Sequence, residues 1–121
     1  VKLTTSYPQV VGQVLVYHRK AAGLDQADVA AELGLSASGY SRIERGHTTL
    51  NVTQLRQAAR ALTLTPAAII GDADTAAAWV ERQGVVVQDA LTKESDCLNV
   101  DGATLFGLVV SSMQGNVRRA S

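Results

Sequence analysis

The side chains able to do chemistry are few and scattered. His18, His47 and the single cysteine, Cys97, stand far apart in the chain, so no cluster has metal-ligand spacing and no internal disulfide can close. Cys97 lies between Asp96 and Leu98, with no adjacent cation to activate it as a redox switch. No serine or cysteine sits in a nucleophile turn with a histidine, no glycine-rich phosphate loop is present, and the acids are dispersed over short helical segments. The reading is non-enzymatic, with no metal and no cofactor. What remains is hydrogen-bonding chemistry, concentrated between Gln26 and Asn51, where Ser36, Ser38, Ser41, Arg42, His47 and Thr48 also fall. Such groups in a short helical setting suit the edges of bases and the oxygens of phosphates.

The elements that must carry these groups can be read from helix punctuation. Pro8 suits a first helical position, and Val11, Val14, Leu15 and His18 form one stripe before Gly23, which predicts a first helix over 8–22. Asp25 caps a second helix with Asp28 three residues on, Val29, Ala30 and Leu33 form its inner stripe, and Gly34 ends it. Ser36 caps a third, with Tyr40 and Ile43 inward and Gly46 after it. Asn51 caps a fourth, with Val52, Leu55, Ala58, Ala59 and Leu62 inward, and Thr65 with Pro66 starts a short fifth that closes at Gly71.

The second half reads less sharply. Asp74 is expected to cap a helix stopped at Gly84, Val85 to Leu91 fits helix or strand, and Thr92 to Asp96 is a polar turn. From Asp101 a helical repeat places Leu105, Val109 and Met113 on one line and Phe106 and Val110 beside it, interrupted by Gly102, Gly107 and Gly115. The division expected is 8–71, 74–115 and a frayed polar tail at 116–121.

The chain has 121 residues, 46 % hydrophobic, with 11 basic and 11 acidic side chains. That suffices for one small domain with an extension, and no apolar run approaches a membrane span. Val1 to Ala30 shows no signal-peptide pattern, so a cytoplasmic location is expected. The zero net charge hides a split: up to Thr65 seven cations oppose four anions, and from Pro66 on four oppose seven. An electrostatic binding surface therefore belongs to the first half.

Two short helices joined by a three-residue corner, with Ala30 small enough for a close crossing, form a helix-turn-helix. Its second helix would lie in the major groove. Ala37, Ser38, Ser41 and Arg42 would point outward from it, Gln26 would meet a phosphate, and Thr48, Thr49 and Asn51 would add backbone contacts from the following loop. His47 fits either a phosphate contact or a plain surface position. Arg56 and Arg60, like charges one turn apart, suit a phosphate neighbour or a solvated face. Arg19 is read as structural, meeting Glu44 or carbonyl groups inside the unit.

The run from Val11 to Ile70 resembles the lambda-repressor-like, Cro/C1-type or XRE family of DNA-binding domains. The resemblance is carried by Gly12, Leu15, Arg19, Gly23-Leu24, Gln26, Val29-Ala30, Leu33-Gly34, Ser36, the stretch from Ser41 to Gly46, Leu50, Leu55, Ala58 and Ala61-Leu62. It implies an all-α fold: a five-helix domain that binds short, roughly palindromic operators on double-stranded DNA as a dimer, to repress or activate transcription. It also implies that Gln26 is a phosphate and base-edge contact, that Ala37, Ser38, Ser41 and Arg42 are the reading face, and that Arg19 and Glu44 are an internal ion pair. Ala37 and Gly39 depart from the family pattern, where longer polar residues are usual. That leaves room for an apolar contact to a thymine methyl and for readout of DNA shape.

The helical extension is expected to supply a homodimer or higher assembly through Trp79, Leu105, Phe106, Val109, Val110 and Met113. The rival reading makes it an antitoxin segment that covers a partner toxin while the head binds its own operator. A small-ligand sensor is a weaker rival, for want of room.

Overall fold

In the computed structural model, residues 3–90 and 99–120 are described, the side chains of 115–120 excepted. Cys97 and the expected turn at 92–96 lie outside them. The element order is β1 (Thr4–Ser6), α1 (Tyr7–Ala21), α2 (Gln26–Leu33), α3 (Ala37–Glu44), α4 (Val52–Ala61), α5 (Pro66–Arg82), β2 (Val86–Gln88) and α6 (Gly102–Ala120). The predicted caps do the local work. Asp25 and Asp28 each accept from the other's backbone N–H at 2.9 Å, Ser36 Oγ accepts from Gly39 at 3.1 Å, Asn51 pairs reciprocally with Gln54, and Thr65 precedes Pro66. Gly34 holds the left-handed cap conformation at φ 67°.

Three expectations are corrected. The fifth helix does not close at Gly71: α5 runs unbroken to Arg82, so Asp74 is no cap. Ile69, Ala73, Ala76, Ala77 and Val80 keep a buried stripe in phase across the glycine. A helical glycine costs only about 1 kcal/mol relative to alanine, less than that stripe returns on burial. Asp74 instead accepts a 2.6 Å hydrogen bond from the Tyr7 hydroxyl, tying α5 to the start of α1.

The segment left open between helix and strand provides β2, which pairs in parallel with β1, Thr4 opposite Val86 and Ser6 opposite Gln88. The other side of β1 is held by Asn99 and Val100, whose N–H groups both donate to the Thr4 carbonyl at 3.2 Å. No strand was expected at Thr4–Ser6. α6 follows, from Gly102 to Ala120.

The third correction concerns the extension. Leu105, Val109 and Met113 are buried within the chain, where α6 packs on α1 and α5. They share one core with Val10, Val14, Leu15, Ile69 and Val80. The interface role expected for these three is replaced by an internal one. Apolar residues at helical spacing look the same whether a neighbouring helix or a second chain covers them.

Candidate nucleic-acid interface

The pair α2 and α3 is set by what lies beneath it. Val29, Ala30, Leu33, Tyr40 and Ile43 are buried at the crossing, with Ala30 only 1 % exposed. α3 in turn ends against α1 at Gly12, where a Cβ would stand 2.2 Å from the Glu44 carbonyl oxygen. Only a residue without a side chain permits that approach.

Glu44, 2 % exposed, is the electrostatic pin of the unit. Arg19 donates to its carboxylate twice, from Nε at 2.7 Å and Nη2 at 3.1 Å, and from Nη1 to the Leu24 carbonyl at 3.0 Å. This is the ion pair expected from the sequence. The bidentate bond to Glu44 pushes the Arg19 guanidinium above its ordinary range. Gln26 Nε2 donates to the same carboxylate at 2.8 Å, so α1, α2 and α3 meet on one buried acid. Burial foremost, then the Glu44 charge, raises the Tyr40 hydroxyl far above the usual phenol range.

On the opposite face of α3 the polar residues stand clear. Ser36, Ala37, Ser38 and Arg42 are exposed and Ser41 is half-buried. Ser36 Oγ, which caps α3, also lies 3.2 Å from Ser38 Oγ. His47, Thr48 and Asn51 are exposed in the loop that follows, and Asn51 is engaged as the α4 cap. Gln26 differs from the rest: it is half-buried and its amide nitrogen is held by Glu44. Residues 16–69 match the model of the helix-turn-helix family HTH_3.

The chain contains an XRE-type helix-turn-helix domain. No curated protein and no solved structure matches the chain. The domain supports a DNA-binding, regulatory role. Among the described residues no group of three or more His, Cys, Asp or Glu side chains could hold a metal ion, and no helix is long and apolar enough to cross a membrane.

Two features around the helix-turn-helix escaped sequence reading. His18 donates from Nε2 to Asp72 of α5 at 2.7 Å, which fastens the domain to the rest of the fold. Lys20, at the end of α1, lies over the Phe106 ring of α6 with Nζ 5.1 Å from its centroid. Neither partner is near its mate in sequence, so no local pattern announces them.

Proposed function

We propose that this chain is a sequence-specific transcriptional regulator that reads a short palindromic operator on double-stranded DNA as a dimer or higher oligomer. The observation that carries the reading is the exposed row Ala37, Ser38 and Arg42 on a helix whose other face is locked by Tyr40, Ile43 and Glu44. Arg42 supplies hydrogen bonds to a base edge, Ser38 and Ser41 shorter contacts, and the Ala37 methyl packs on a thymine. Ser36, His47, Thr48 and Asn51 meet backbone phosphates, and Gln26 does so through the α2 backbone while its side chain braces Glu44.

A single head spans only a few base pairs, so a two-fold assembly is needed for operator affinity. Of the six residues first expected to build it, Trp79, Phe106 and Val110 keep part of their surface exposed, and since Phe106 is engaged by Lys20, Trp79 and Val110 remain available. The toxin-partner reading needs an exposed apolar patch around Phe106, and the burial of Leu105, Val109 and Met113 within the chain narrows that patch, which favours the plain regulator.

Selecting bound duplexes from a random pool tests the proposal. Two inverted half-sites about one helical turn apart, roughly 34 Å, are expected. Enrichment of no motif would overturn sequence-specific binding, and a motif without symmetry would overturn the two-fold assembly.

A further inference from the structure

A groove of about 430 Å³ opens where α1, α2, α3 and the first turn of α6 meet, and Gln13, Lys20, Gln26, Ser41, Arg45 and Phe106 are among its walls. Its charge is one-sided. Arg19 and Glu44 satisfy each other, whereas Lys20 and Arg45 have no carboxylate partner among the described residues. Lys20 is instead steadied by the Phe106 ring.

A second observation is independent of charge. Gln13 is only 9 % exposed, lies on the wall of this groove, and its side chain has no hydrogen-bond partner among the described residues. Its amide is not among the fully buried polar atoms left without a partner, so it stays hydrated through the groove mouth, where an incoming acceptor can replace that water. Its Nε2 faces the start of α6, where a Cβ at Gly102 would stand 3.6 Å away. A free donor that shares this groove with two uncompensated cations suits an oxyanion.

Resting on the DNA-binding reading above, we propose that this groove seats a phosphate of the operator backbone, with Lys20 and Gln13 as contacts outside the helix-turn-helix pair. The groove is continuous with the reading face: Ser41 and Arg45 follow Ala37 and Ser38 along α3. A strand lying along that helix passes over the groove mouth. α6 thereby serves DNA binding within its own protomer, by walling the groove and holding the Lys20 side chain with Phe106.

The test uses the full chain, a duplex selected by it, and a scrambled duplex, with affinity followed by fluorescence anisotropy over a series of KCl concentrations. Lys20→Gln is expected to weaken both duplexes alike and to reduce the slope of log affinity against log salt by about 0.9, the share of one phosphate contact. Duplex addition is also expected to move the Gln13 side-chain amide resonance of the parent. A parent that binds duplex while Lys20→Gln leaves the slope unchanged would overturn the groove assignment and spare the DNA reading. A parent that binds no duplex would overturn both. Millimolar inorganic phosphate that moves the Gln13 resonance as far as duplex does, with the slope unchanged in Lys20→Gln, would assign the groove to a free anion instead.

Discussion

Gly12 shows how much one absent side chain can decide. A methyl there would sit 2.2 Å from the Glu44 carbonyl oxygen and 2.8 Å from that of Ile43, backbone atoms that cannot turn aside. Gly12→Ala is therefore expected to lower stability by about 1–3 kcal/mol in urea unfolding, by forcing α3 away from α1. Tyr7 offers a pH test. Burial, with the Asp74 hydrogen bond second, lifts its hydroxyl from 10.0 to about 12. A group whose pKa rises on folding adds stability that is complete below its unfolded pKa and lost as pH climbs through the folded one. The parent should then lose more stability than Tyr7→Phe between pH 9 and pH 11.5, and equal losses would refute the linkage. At this scale the sequence was readable where chemistry is local or the resemblance strong, as for Arg19 with Glu44. Gln13 was not, because a polar residue beside an apolar stripe gives no sign that a distant helix will cover it.

Among the elements, α3 depends on a charge pair buried beneath it. The side chains of Arg19 and Glu44 are 12 % and 3 % exposed. Glu44→Gln leaves the guanidinium without its counter-charge, and a loss of about 3–5 kcal/mol is expected in chemical denaturation, the usual result of removing one partner of a buried pair. Helix starts were legible because Asp25, Ser36, Asn51 and Thr65 bond to amides only three residues away. The end of α5 was misread at Gly71 because helix termination depends on whether the buried stripe continues, which only the neighbours α1 and α6 determine. The β1–β2 pair was invisible for the same reason: its register joins Thr4 to Val86 across five helices. An apolar hollow of about 200 Å³ between α1, the loop after α3 and α4 is lined by Val11, Ile43, Leu50 and Leu55. It is smaller than the roughly 300 Å³ at the low end of small-molecule sites, so this hollow by itself is too small for one.

For the whole molecule, the second half is part of the fold. Cutting the chain at Asp74 would divide α5 and strip Val80, Leu105 and Val109 from the core they share with Val10 and Leu15, so truncation is expected to unfold the head. Assembly is better probed at the surface. Val110→Glu, at a half-buried position of α6, is expected to halve the mass seen in sedimentation and to weaken binding to a full palindrome more than to a half-site. A parent-sized assembly in that variant would place the two-fold contact elsewhere. The claim that α3 reads base sequence is tested most directly by competition between a selected and a scrambled duplex, for the parent and for Arg42→Ala, at one salt concentration. The account expects the ratio of the two affinities to fall by roughly tenfold in Arg42→Ala, the discrimination carried by one good base contact, with the scrambled duplex affected less. An unchanged ratio would contradict it.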